Sequence, residues 1–300
     1  MPSLKEIKGR IGSVQSTLKI TSAMKLVASA KLRRAQQAIE GMRPYERKLQ
    51  GMMERVAAHA GGTGRSGAYA RTASPAGAEE EAAPAREKVT IVAFASNSSL
   101  CGAFNANVLR LTLDTLKEFG GADITVHSVG RKMADAMKKC GYPSPEDYHK
   151  LAEKPSYADA SALAERLMED FRKGRLDRVE LIYNHFVSSG KQVPVRETLL
   201  PMGEMPAADG DAVPGVPDCI LEPSASELLE NLLPKSLKLK FYTALLDSNA
   251  SEHAARTVAM QTATDNGEDL LQELTLQYNK SRQQKITSEI LDLAGGSQEQ

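Results

Sequence analysis

The two ends of this chain constrain its fold most, because each reads as a helix too long to fold back onto a small domain. No proline follows Pro234. That permits an unbroken helix of roughly sixty residues, spanning on the order of 90 Å at about 1.5 Å per residue. At the other end Leu4, Ile7, Ile11, Val14 and Leu18 recur in alternating steps of three and four, the heptad seam of a coiled coil. Ala28, Leu32, Ala35, Ile39 and Met42 continue the register. Between the two blocks the seam positions are Thr21 and Lys25, both polar, while Ile20, Met24 and Val27 lie on a neighbouring face. The apolar stripe is expected to rotate there. Pro44 is expected to bend or break the helix, since it lacks an N–H and crowds the preceding turn; helix then resumes to about residue 58. Two such helices must pair with each other or with something outside the chain.

The middle of the chain has a different period. Val89-Thr90-Ile91-Val92-Ala93-Phe94 reads as a buried strand, followed by a polar turn and a helix over about 103–119. Ile124-Thr125-Val126-His127-Ser128-Val129 reads as a second strand, with a helix over 131–139. A helix over about 157–173 leads to a third strand, Val179-Glu180-Leu181-Ile182-Tyr183. This alternation predicts a small Rossmann-like α/β domain with a mainly parallel sheet. The fold class is thus α/β with long helices. The divisions expected are an N-terminal helix over 1–60, a linker over 61–87, the α/β domain over 88–222 and a C-terminal helix over 223–300. Residues 202–223, rich in Pro, Gly and Asp, read as loop. Residues 61–87 are rich in Gly, Ala, Pro and Glu and offer too little apolar surface to offset the entropy of ordering them. Limited proteolysis of the free chain should therefore cut first within 61–87. A first cut inside a terminal helix would overturn this division.

Charge bears on function. Lys plus Arg balance Asp plus Glu at 38 each, which leaves no general nucleic-acid footprint. The balance hides an asymmetry: residues 1–58 carry twelve Lys or Arg against four Glu, which suits an acidic partner surface as readily as a nucleic acid. Cys101, Cys140 and Cys219 lie far apart with no CxxC spacing, which argues against a disulfide framework or a zinc site and for a reducing compartment. The start, Met1-Pro2-Ser3-Leu4-Lys5, lacks the apolar run of a signal peptide, and no stretch reaches membrane-spanning length. Membrane association is expected through a partner alone.

No catalytic constellation emerges. Ser96-Asn97-Ser98-Ser99-Leu100-Cys101-Gly102 follows a strand and opens a helix, where a phosphate loop would sit. It lacks both the dinucleotide glycine spacing and the Gly-Lys-Ser/Thr of a Walker loop. Cys101, near a helix N-terminus, could carry a lowered thiol pKa, but with no nearby His in sequence a buried, inert cysteine is the better reading. His59, His127, His149, His185 and His253 show no metal-ligand spacing, and Glu79-Glu80-Glu81 is a solvated charge run. No cofactor, metal site or catalytic residue is expected. The informative segment is the last helix. Leu270, Leu271, Leu274 and Tyr278 form an apolar stripe that resumes at Ile286, Ile290 and Leu293. Between them Asn279-Lys280-Ser281-Arg282-Gln283-Gln284-Lys285 holds no apolar residue. That band is either a helix stretch exposed on all sides or a ring of long donors reaching a surrounding surface.

Ile20-Thr21-Ser22-Ala23-Met24-Lys25-Leu26-Val27-Ala28-Ser29-Ala30-Lys31-Leu32-Arg33-Arg34-Ala35 resembles the N-terminal signature of the gamma subunits of F-type ATP synthases. Ser251-Glu252, Ala255-Arg256, Ala259-Met260, Ala263-Thr264, Asn266, Leu274, Leu276, Tyr278-Asn279, Arg282-Gln283, Ile286-Thr287 and Glu289-Ile290 resemble the C-terminal one. Ser99-Leu100-Cys101-Gly102 with Asn105, and Asn184, Phe186, Ser188, Gln192, Pro194 and Leu199-Leu200-Pro201, are similar to two internal motifs. The likeness covers nearly the whole chain in order. It departs at Asn97-Ser98-Ser99, where the family usually has Asp, a basic residue and Gly, and in an expanded stretch over 61–87. The inserted segment and cysteine pair of chloroplast forms are not evident, so no thiol switch is expected.

The resemblance implies an antiparallel coiled coil of the two terminal helices with the α/β domain at its foot, acting as the non-catalytic central stalk of the enzyme. It implies alpha and beta subunits around the shaft, an epsilon subunit and a c-ring as partners, no nucleic acid, and a location at the cytoplasmic face of the bacterial inner membrane. It further implies beta-subunit contacts at Met24, Lys25, Arg282, Gln283 and Thr287. Two rival readings stand beside it: a stand-alone α/β enzyme acting on a nucleotide or sugar phosphate, and a coiled-coil scaffold unrelated to ATP synthesis.

Overall fold

A computed structural model describes residues 3–59, 69, 86–202 and 221–296, with side chains at 3–57, 69, 86–202 and 221–291. The chain divides into two compact units, one of residues 1–30 with 256–300 and one of residues 31–255. Helix α1 (Leu4–His59) and helix α6 (Ala225–Gly296) each contribute to both units.

The larger unit is built on a four-stranded sheet in the order β2-β1-β3-β4. Strands β1 (Lys88–Phe94), β2 (Asp123–Val129) and β3 (Arg178–Ser188) run parallel, and β4 (Lys191–Leu200) closes one edge antiparallel to β3. Between the strands lie α2 (Phe104–Glu118), α3 (Arg131–Lys139), the short α4 (His149–Glu153) and α5 (Tyr157–Arg172). Strand β1 is central, so both of its faces are covered and its apolar run is continuous rather than alternating. Val89, Ile91 and Ala93 pack with Val108 and Leu116 of α2 and Met133 and Met137 of α3. Val92 and Phe94 face the other way, onto Leu163, Leu167 and Phe171 of α5, Leu49 and Met53 of α1, and Leu237 and Phe241 of α6. Helix α5 buries Ala160, Leu163, Ala164, Leu167, Met168 and Phe171, a stripe at helical spacing. In this unit α1 and α6 also meet through small residues, with Leu32 and Ala35 against Ala250 and Ala254.

The expected strands and helices of the middle region are present, and β4 was not foreseen. Pro194 argues against a central strand, yet on an edge its missing N–H costs no ladder bond. Residues 61–87, read as a linker, lie outside the described residues except Tyr69, Arg86 and Glu87. Tyr69 departs from that reading. Its ring is buried in the main core, and its carbonyl accepts the Met202 N–H at 2.8 Å. An aromatic ring carries enough apolar area to hold its place in a core. The loop expected over 202–223 lies largely outside the described residues as well.

Helix α1 runs through Pro44 without interruption, contrary to expectation. Pro44 and Glu40 are both exposed, so the carbonyl that proline leaves without a partner faces solvent. The stripe of α1 does not rotate either. Ile20 and Val27 are 60% and 57% exposed and only Met24 of that neighbouring face is half-buried, while Thr21 and Lys25 stay half-buried on the seam. The heptad spacing holds from Leu4 through Val56, every seam residue being at least half-buried.

In the smaller unit α1 and α6 run antiparallel. The Thr264 and Thr21 hydroxyls are 3.0 Å apart, and Lys25 Nζ donates to Gln261 Oε1 at 2.9 Å. Ile7, Ala28, Met260 and Leu274 are the buried apolar residues of this seam.

Candidate interaction surface

At the turn after β1, Ser96 N–H donates to Asn105 Oδ1 at 3.0 Å, and Arg131 N–H donates to Asn97 Oδ1 at 3.1 Å. Asn97 Nδ2 donates in turn to the His149 carbonyl at 2.8 Å. Cys101 is buried, as expected, and Asn105 Nδ2 donates to its Sγ at 3.1 Å. Leu100 and Gly102 take left-handed φ angles of 67° and 57° to make this turn. Gly130, at φ 104°, allows β1 and the start of α3 to approach so closely that a Cβ there would lie 2.2 Å from the Ala95 carbonyl oxygen. The turn joins β1, α2 and α3.

The later motif also holds structure together. Asn184 Nδ2 donates to the Phe104 carbonyl at 3.1 Å, and Ser251 Oγ to the Asn184 carbonyl at 2.8 Å. Asp247, which sequence reasoning missed, accepts the Phe186 N–H at 2.9 Å and pairs with the His185 ring. Burial pushes its carboxyl pKa up, against the pull of these partners. Nothing in the sequence pointed to it, since its partners lie some sixty residues away on another element.

Among the described residues no group of three or more His, Cys, Asp or Glu side chains is placed to hold a metal. No described helix is long and apolar enough to cross a membrane.

The exposed surface that stands out is at the end of α6. Its seam in the smaller unit passes through Met260, Thr264, Gly267, Leu271, Leu274, Tyr278 and Ser281, each at least half-buried. Every residue from Arg282 to Leu291 is exposed. The register explains the change. Thr21 faces Thr264, and counting equally back along α1 to its first residue, Leu4, and forward along α6 reaches Ser281. Beyond that point no described residue of α1 lies alongside. The apolar stripe expected to resume at Ile286 and Ile290 is therefore bare, at 47% and 60% exposed, while the side chain of Leu293 lies outside the described residues. Arg282 makes no ion pair or side-chain hydrogen bond among the described residues, and Thr287 Oγ1 bonds back to the Gln283 carbonyl at 2.9 Å.

The expected contact residues thus fall into two groups. Arg282, Gln283 and Thr287 lie on the bare end of α6. Met24 and Lys25 lie on the paired stretch, half-buried, with Lys25 opposite Gln261. Arg282 is 21 residues further along α6 than Gln261, roughly 30 Å away at helical rise.

A family model described as ATP synthase matches residues 3–298. The ATP synthase gamma chain of Bacteroides fragilis (strain ATCC 25285) is 53% identical over 302 residues, covering 99% of both chains. The chain belongs to the ATP synthase gamma chain family. The gamma chain of Phocaeicola vulgatus is 51% identical over 300 residues, again covering 99% of each. Among solved structures, the rotor of the Euglena gracilis mitochondrial ATP synthase matches with a TM-score of 0.58 at 20% identity, over 94% of this chain and 98% of that one. That distant match speaks to the fold. As a gamma chain it is a non-catalytic subunit of the ATP synthase.

Proposed function

We propose that this chain is the rotor shaft, with its paired helices inside a ring of alternating alpha and beta subunits and its α/β unit docked, together with an epsilon subunit, on a c-ring. The complex would then sit at the cytoplasmic face of the bacterial inner membrane, which the chain reaches through the c-ring alone. The observation that carries this reading is the bare end of α6. A helix that leaves its partner and keeps Ile286, Ile290 and Arg282 exposed needs an external surface to cover it.

Symmetry supplies the mechanism. One asymmetric rod inside a threefold ring touches three chemically identical beta subunits differently. Each contact biases one beta subunit toward a different nucleotide affinity by its differential contact energy. A charge crossing 100 mV supplies about 2.3 kcal/mol, so several must be pooled for each ATP. Met24, Lys25, Arg282, Gln283 and Thr287 are the proposed beta contacts.

Co-purification tests the reading. The tagged chain is expected to bring down alpha, beta and epsilon subunits in fixed ratio, and the chain alone should not hydrolyse ATP. ATP turnover by a preparation free of the alpha–beta hexamer, abolished by substitutions in this chain, would sink it.

A further inference from the structure

The seam of the smaller unit is interrupted by three consecutive unusual layers. Leu18 packs against Gly267 so closely that a Cβ at 267 would lie 2.7 Å from Leu18 Cδ2. In the next layer the Thr21 hydroxyl donates to the Leu18 carbonyl at 3.1 Å and accepts from the Thr264 hydroxyl at 3.0 Å. Thr264 is only 6% exposed. In the third, Lys25 lies across from the buried Met260, and at the exposed edge of the seam its Nζ donates to Gln261 Oε1 while Gln261 Nε2 donates to Asp265 Oδ1 at 2.6 Å. Each layer is a poor choice for stability alone. Glycine is second only to proline in disfavouring a helix interior, and paired hydroxyls bury less apolar area than paired leucines.

We infer that these layers form a register lock, fixing the axial position of α1 against α6. An antiparallel pair with a uniform apolar seam can slide by a heptad, roughly 10 Å, and re-form equivalent contacts. Here both slides fail. In one direction Leu18 meets Leu274 and Thr264 meets Ala28. In the other Leu18 meets Met260 and Thr264 meets Val14. Either way the leucine loses its glycine notch, and the buried Thr264 hydroxyl loses Thr21 across the seam and keeps only the Met260 carbonyl of its own helix, 2.8 Å away. A polar pair at seam positions sets register in this manner at a cost in stability. The lock belongs to the helix pair itself and adds to the packing of the same two helices through Leu32, Ala35, Ala250 and Ala254. For a shaft under torque it would keep the two helices from creeping past one another.

Disulfide capture in the full-length chain tests this, with Cys140 and Cys219 replaced by serine and the buried Cys101 kept. Ile11→Cys with Leu274→Cys reports the native register, and Ile11→Cys with Ser281→Cys reports a heptad slide. With the lock intact, mild oxidation should favour the native pair by at least about tenfold. In a chain also carrying Thr21→Val, Lys25→Leu, Thr264→Val and Gly267→Ala, that preference should fall below about threefold while the melting temperature holds or rises. Thr264→Val alone should give an intermediate preference, which keeps the test usable if the fourfold variant folds poorly. A native preference that survives in both variants overturns the lock. So does a loss of preference that appears only alongside a lowered melting temperature, since the layers would then be ordinary stabilising contacts.

Discussion

Arg196→Met is expected to lower the unfolding free energy of the α/β unit by about 3–5 kcal/mol, the usual cost of removing one partner from a buried ion pair. Glu180 on β3 is fully buried in the sheet. Its carboxylate accepts Arg196 Nε at 3.2 Å, Thr198 Oγ1 at 3.0 Å and, more weakly, an Arg178 guanidinium nitrogen at 3.4 Å. The two arginines are held from outside as well. Arg196 pairs with Glu118, Arg178 Nε lies 3.0 Å from Glu87, and both guanidinium groups cover the Phe119 ring, at 4.9 and 5.7 Å from its centre. Methionine at 196 keeps the stem over Phe119 but strips Glu180 of its best cation. The carboxylate then stays buried with one long contact and a hydroxyl. Urea denaturation reads the effect as a midpoint lowered by about 1–2 M, taking a slope of 2–3 kcal/mol per molar. Lys173→Ala is the control, because its ion pair with Glu169 is half exposed on both sides and its loss should leave the midpoint almost unchanged. A midpoint for Arg196→Met close to that of the control would show that the buried carboxylate does not depend on this arginine.

Periodicity made much of this molecule legible, and its failures share a cause. The step of three and four from Leu4 to Met42, the buried run of β1 and the stripe of α5 are signals carried by apolar residues within a few turns of one another, so the sequence displays them. Thr21 and Lys25 read as a break in the stripe because a polar side chain at a seam position looks misplaced until its partner is seen. Those partners, Thr264 and Gln261, lie more than 230 residues away. Pro44 was overweighted for a similar reason: its cost depends on where the freed carbonyl points, and here that is solvent. Strand β4 was missed although Ser189-Gly190 marks a turn, because Pro194 reads against a strand until its edge position is known. Of the contact residues, the polar band over 279–285 was visible in sequence. Its physical origin was not, for it needs the register that ends the helix pair at Ser281.

That ending makes Arg282 and Gln283 the sharper test of the shaft reading. Lys25 already holds Gln261, so substituting it disturbs the helix pair and any partner contact together. Arg282 and Gln283 lie past the last paired layer, exposed, where a change cannot alter the seam. If the beta subunits grip this point, Arg282 donates charge-assisted hydrogen bonds to an acidic or carbonyl group in some rotary positions only, because a permanent contact would stop rotation. Such bonds are worth roughly 1.5–3 kcal/mol each when desolvated. Arg282→Ala with Gln283→Ala should therefore lower ATPase turnover or assembly of the complex severalfold, while circular dichroism of the isolated chain stays at the wild-type helix content. A polar band that is merely solvated predicts the opposite: exposed substitutions of this kind shift stability by less than about 0.5 kcal/mol and leave turnover alone. Wild-type turnover and assembly in the double variant would decide against a grip at this point and move the search to the bare apolar residues beyond it, Ile286 and Ile290.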